Sequence, residues 1–259
     1  YQEAWAEMDS LRQAMLPLSM AEKANEIYDA AVAEALPAQQ VKALIHWIGS
    51  YVYKNDDDVQ KIVENIQARI DSAEGVAKPL LHAVMAQTLS QYLSSNLWRF
   101  SQRGEFSHEN PGDISTWDIP SLIREISRHY ELALEPADLL LAESMDDYPE
   151  LKMINVLLVG DSLYDYLAML ALAFYSRNYA RVSSVESFDP GGEQNFYPMQ
   201  EFLQLNPPEP QTVSMHYEAF RLFQTVLRQH TAGQNQIALV RWDLQRLEYY
   251  YKMSSWESS

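Results

Sequence analysis

Val41-Lys42-Ala43-Leu44-Ile45-His46-Trp47-Ile48-Gly49-Ser50-Tyr51-Val52 is the stretch that decides the fold class. Val41, Leu44, Ile45, Ile48 and Val52 stand at offsets 0, 3, 4, 7 and 11. A helix of 3.6 residues per turn gathers those positions into one stripe, whereas a strand would scatter them over both faces. Val59, Ile62, Val63, Ile66 and Ile70 repeat the same offsets. On the N-terminal side, Met20, Ala24, Ile27 and Ala31 keep helical spacing, and Ser19-Met20-Ala21-Glu22 reads as a capping box at the start of that helix. Pro37 ends it and suits the first turn of the next. Asn55 and Asp56 to Asp58 offer turn and cap chemistry, and Gly75 and Pro79 punctuate again.

The helix near Met20 thus recurs near Val59, and the one near Val41 recurs near Leu80, a step of about 40 residues that suits helical repeats. Leu80 to Phe100 is apolar on more than one face, which predicts a central buried helix. A loop composition fills Gln102 to Asp118, and helical pattern resumes over Ile119 to Leu134 and Asp138 to Ala142. Leu163 to Tyr175 is almost wholly apolar and predicts a second buried helix. Phe188 to Tyr197 and Asn206 to Pro210 have the composition of surface loops. Two helices close the chain, one lined by Tyr217, Phe220, Phe223 and Leu227, the other by Ile237, Val240, Leu244, Leu247 and Tyr251. Strand alternation is scarce. The expected fold is all-α, with antiparallel helix pairs in a TPR-like α-α superhelix. It is read as a single helical domain over 1–259, with helix pairs over about 3–100, a loop over about 102–118 and further helices over about 119–254.

Composition narrows the function. The 259 residues carry 19 Lys+Arg against 36 Asp+Glu, a formal charge of −17. Such a surface repels phosphate backbones and anionic lipid, so neither nucleic acid nor a membrane surface is an expected partner. No apolar run approaches the roughly 20 residues that span a bilayer. The chain has no Cys, which excludes thiol nucleophiles, disulfides, zinc–thiolate sites and a thioester within these residues.

Val156-Leu157-Leu158-Val159-Gly160-Asp161-Ser162-Leu163 resembles the nucleophile block of the GDSL esterases, with Ser162 as candidate nucleophile. A serine hydroxyl needs a base, which that family takes from an Asp-x-x-His pair. None of His46, His82, His108, His129, His216 and His230 has an Asp three positions earlier. The competing reading makes Asp161 or Ser162 the cap of the helix that begins at Leu163. Asn55 to Asp58 lacks calcium-loop spacing, the histidines are scattered, and no phosphate-binding glycine motif occurs. The 16 Tyr and 6 Trp read as packing residues, with Trp5, Trp47, Trp98 and Trp242 in helical patterns. No catalytic, cofactor-binding or metal-binding residues are assigned, and no cofactor is expected.

Three segments, taken in order, carry a resemblance. They are His82-Ala83-Val84-Met85-Ala86-Gln87 continuing to Gln91-Tyr92 and Asn96-Leu97-Trp98-Arg99; Asp113-Ile114-Ser115-Thr116-Trp117-Asp118; and Leu163-Tyr164-Asp165-Tyr166-Leu167-Ala168 continuing to Ala171-Leu172. With Trp5 to Ala33, Gln40 to Ile45 and Asp243 to Tyr249, their collinearity resembles the N-terminal helical region of the alpha-2-macroglobulin-like proteins of Bacteroidetes-type bacteria. Gly160-Asp161-Ser162 departs from that pattern, which has basic and Pro-Thr residues before the Leu-Tyr-Asp.

The resemblance implies a non-catalytic helical part of a longer, secreted or envelope-anchored protease-trapping protein, located in the periplasm or at the outer-membrane surface. Its partners would be its own downstream β-sandwich domains, which in many members hold a Cys-Gln thioester, or another protein. Two other readings stand beside it: a serine esterase using Ser162, and a helical-repeat glycan-binding lipoprotein, which would need an exposed aromatic platform.

Overall fold

The computed structural model describes residues 1–51, 58–101, 113–153, 159–177, 188–211 and 213–257. Val52, Asn55 to Asp57, residues 102–112 of the expected loop, and Val156 to Leu158 lie outside them. The described residues are all-α. The helices are α1 (Gln2–Gln13), α2 (Pro17–Ala33), α3 (Pro37–Tyr51), α4 (Asp58–Ser72), α5 (Ala77–Ser95), α6 (Leu97–Ser101), α7 (Ile119–Leu134), α8 (Ala137–Leu141), α9 (Leu163–Tyr175), α10 (Met199–Phe202), α11 (Met215–Ala232) and α12 (Gln236–Glu257), with short 3₁₀ turns between some of them. Among the described residues the only bridge of β type is the isolated antiparallel pair Ser144 and Ser162.

Packing runs along the chain. α2 lies on α1 and α3, α5 on α3, α4 and α7, α9 on α7 and α11, and α11 on α12. The sharp hairpins that bring consecutive helices together share one device. α1, α2 and α11 each end with a non-glycine residue in the left-handed region: Met15 (φ 54°), Ala35 (φ 53°) and Gln234 (φ 55°). The following N–H then reaches back five residues, from Leu16 to the Leu11 carbonyl, Leu36 to Ala31 and Asn235 to His230, each a Schellman closure. The next helix starts immediately, at Pro17, Pro37 and Gln236. Proline suits two of these starts because its missing N–H falls where a helix has no internal acceptor. This corrects the expected capping box. α2 starts at Pro17 with Leu16 before it and no side-chain cap, so Ser19 lies inside the first turn.

α5 and α9 are the central helices. α5 buries Leu80, Leu81, Val84, Met85, Leu89 and Leu93 on several faces. α9 buries every residue from Leu163 to Tyr175 except Ala173. The apolar run from Leu80 does not stay one helix to Phe100: α5 stops at Ser95, where the Asn96 side chain donates to the Tyr92 carbonyl, and α6 follows. α7 begins as the pattern predicts, because Asp118 accepts the Ser121 N–H and Pro120 sits in the first turn. Aromatic rings fill the far end of the core, with Phe223 against Trp242, Tyr249 and Tyr250.

Three other expectations are overturned. Trp98 on α6 is exposed, not core. The segment from Phe188 to Tyr197 is not a loose surface loop, because Phe188 and Asn195 are buried. Arg246 of α12, itself buried, donates to the Asn195 and Tyr197 carbonyls, pairs with Asp243 and lies 4.4 Å from the Phe202 ring centre. Finally, the stripe Ile237, Val240, Leu244 and Tyr251 of α12 faces solvent, with Leu247 half-buried, while Ala238, Leu239, Trp242, Arg246, Tyr249, Tyr250 and Met253 face the core.

The left-handed turns carry a testable cost, since a Cβ there meets backbone oxygen. Ala35→Gly is expected to raise stability by about 0.5–1 kcal/mol, the relief of that clash outweighing glycine's greater freedom when unfolded. Urea denaturation at unchanged m-value measures it.

Candidate functional site

The residues around Ser162 form a connected polar cluster at the edge of the core. Ser162 caps α9: its Oγ accepts the Asp165 N–H at 3.2 Å, and the Ser162 N–H donates back to Asp165 Oδ2 at 3.3 Å, a complete capping box. The Ser162 hydroxyl donates to the same Oδ2 at 2.6 Å. The other carboxylate oxygen, Oδ1, accepts from His230 Nε2 at 2.8 Å and from Trp242 Nε1 at 2.6 Å. Asp165 and His230 are 1 % exposed, and Trp242 is fully buried. A Cβ on Gly160 would collide with the Asp165 carboxylate, so glycine is the residue that fits there. Asp161 points into solvent and makes only a 3.9 Å contact with Arg241.

This geometry decides what the cluster can do. The order is serine, carboxylate, imidazole, so the carboxylate separates the hydroxyl from the histidine. A Ser-His-Asp triad needs the imidazole in the middle, where it can take the hydroxyl proton. Burial pushes the Asp165 pKa up, but hydrogen bonds from His230, Ser162 and Trp242 outweigh it and hold the carboxyl below its ordinary value. A carboxylate stabilised as an anion is a poor base. Ser162 is therefore placed as a cap, and the candidate nucleophile is not brought to a base.

A second buried pair, His82 on α5 and His129 on α7, faces Nδ1 to Nδ1 at 2.9 Å, so one ring donates and the other accepts. His129 Nε2 lies 3.3 Å from Glu125 and 3.1 Å from Arg128 Nη2. Burial, then the nearby His129 and Arg128 charges, push His82 down to about 4, so it is held neutral. Among the described residues no group of three or more His, Asp or Glu is arranged to hold a metal ion.

Two of the surface clefts are lined by cations. One of about 410 Å³ lies between α7 and α11, where Arg221 pairs with Glu131 at 2.9 Å and Glu218 at 3.3 Å. The other, of about 530 Å³, lies by the α2–α3 turn; there Arg69 stacks 3.8 Å from the Tyr28 ring centre and donates to Asn25 and Asn65. Arg221 is engaged by the chain's own carboxylates, and Arg69 by Asn25 and Asn65 through Nη2 and Nε, with its buried Nη1 making no hydrogen bond among the described residues.

Sequence reasoning offers Asp161 or Ser162 as the cap, of which the structure uses Ser162, and does not find Asp165, His230, Trp242 or Arg246. The available signal was a single charge, Asp165, inside the apolar run Leu163 to Tyr175. No family model matches the chain, and neither the curated proteins nor the solved structures contain a significant match.

Asp165→Asn is expected to destabilise the fold by about 3–5 kcal/mol at neutral pH, since an amide NH₂ must face donors and the buried charge network loses its acceptor. The sign with pH follows from the lowered pKa. The stabilisation is complete above the ordinary carboxyl value of about 3.9 and is lost as the pH falls through the lowered one. Denaturant titrations of both proteins should therefore converge in strong acid.

Proposed function

We propose that this chain is a non-catalytic helical scaffold and interaction domain, of the kind found at the N-terminal side of bacterial alpha-2-macroglobulin-like proteins. One observation carries the non-catalytic reading: Asp165 is saturated by donors from Ser162, His230 and Trp242, so the polar cluster that resembles an esterase site is spent on joining helices. The family reading rests on the collinear segments. Two of the three contribute to the central packing, His82 to Tyr92 on α5 and Leu163 to Leu172 on α9. On this reading the protein acts in the cell envelope or outside the cell, and its surface contacts domains further along the same polypeptide or another protein. Among the described residues no helix is long and apolar enough to cross a membrane.

The glycan-binding reading draws less support. Trp47 and Trp242 are buried, and among the described residues the exposed aromatics Tyr1, Trp98, Phe196 and Tyr251 come from four separate parts of the chain.

Hydrolysis of short-chain p-nitrophenyl esters tests the proposal. The expected rate equals the buffer background for the native protein and for Ser162→Ala, while the variant loses about 1 kcal/mol of stability with its cap. Turnover that disappears with Ser162→Ala would establish the esterase reading instead. The family part predicts that the coding sequence runs on into β-rich domains with a Cys-Gln thioester or its remnant. A stop codon soon after Ser259 would refute it.

A further inference from the structure

We propose that the chain associates with a second copy of itself through α12, the two helices lying antiparallel. The inference stands apart from the family reading and rests on the outer face of this one helix.

α12 has two apolar faces. The inner one seats Leu239, Trp242, Tyr249, Tyr250 and Met253 in the core. The outer one carries Ile237, Val240, Leu244 and Tyr251 at 68 %, 66 %, 56 % and 72 % exposure, with Leu247 half-buried between them. Scattered exposed apolar side chains are ordinary, but a contiguous row is not. The spacing of this row is that of a coiled-coil seam, with Ile237, Leu244 and Tyr251 at position a and Val240 and Leu247 at position d. A helix that only needed to rest on its own domain would require the inner face alone.

The charges beside the seam favour a second copy over an unrelated surface. Arg241 and Glu248 both fall at position e, one heptad apart and opposite in sign. Within the chain each has only a 3.9 Å contact, Arg241 with the exposed Asp161 and Glu248 with Lys252. Turn a second α12 antiparallel so that Leu244 opposes Leu247 of the second copy and Val240 opposes Tyr251 of the second copy. The two-fold axis then brings Arg241 of each copy alongside Glu248 of the other. The apolar rows interleave and both charges on each helix are matched, which is the self-complementarity that an isologous interface demands. In a parallel arrangement the e positions face g, and these two charges do not meet.

Sedimentation equilibrium of the full chain at micromolar concentrations tests this. The expected mass is twice 29.8 kDa. Leu244→Lys is expected to leave a folded monomer, because Leu244 is more than half exposed; far-UV circular dichroism checks the fold. Arg241→Glu should weaken association roughly tenfold by setting like charges against each other twice, and Arg241→Glu/Glu248→Arg should restore it. A native chain that stays monomeric overturns the proposal. So does a dimer indifferent to Leu244→Lys, which would place the interface elsewhere, and so does a double variant that fails to recover.

Discussion

The Asp165 carboxylate is the point on which the C-terminal half of the molecule converges. Its acceptor sites take donors from the α9 cap, from the end of α11 and from the middle of α12. A buried carboxylate without such donors would be strongly unfavourable, and each donor without it would be a buried polar group left unpaired. The four side chains therefore assemble together or not at all. Gly160 belongs to the same constraint, because the chain must pass closer to the carboxylate than any side chain allows. An apparent nucleophile motif is thereby explained by folding: glycine clears space, serine caps, and leucine begins the buried helix.

Local chemistry was legible in the sequence and long-range pairing was not. The starts of α7 and α9 fall where helical pattern begins at Ile119 and Leu163, and the structure caps them with Asp118 and Ser162, residues that act on the neighbouring turn of backbone. The start of α2 was misread because Ser19 and Glu22 fit a capping pattern, while Pro17, two positions earlier, already serves as a helix start after a left-handed turn at Met15. His230 and Trp242 lie 65 and 77 residues from Asp165, and no spacing rule connects them. Nothing in the local sequence marks Arg246, yet it organises the segment from Asn195 to Tyr197. Periodicity finds an apolar stripe and does not say what lies against it, so the row from Ile237 to Tyr251 has the spacing of a core stripe and yet faces solvent.

The charge of −17 has a clearer place in this setting. Several acidic side chains sit in short ion pairs along exposed helix faces, such as Asp9 with Arg12 and Glu131 with Arg221. Exposed pairs of this kind add little stability. The excess acid keeps the long helical surface hydrated and works against indiscriminate association. Apolar side chains are also exposed at Met15, Leu18, Val32 and Trp98, but α12 carries a row of them along one helix.

A helix with apolar residues on both sides raises a question of orientation that the apolar pattern alone cannot answer. Rolling α12 about its axis would offer the core Ile237, Val240 and Leu244 in place of Leu239, Trp242 and Tyr249, aliphatic side chains in place of the larger rings that pack on Phe223. A polar difference adds to that one. Only one roll delivers the Trp242 indole N–H to Asp165 and the Arg246 guanidinium to the Asn195 and Tyr197 carbonyls. The buried indole and guanidinium thus act as keys in a lock with two possible insertions. Replacing both with apolar groups of similar volume would remove the polar part of that choice and leave it to the packing of Tyr249 and Tyr250 on Phe223.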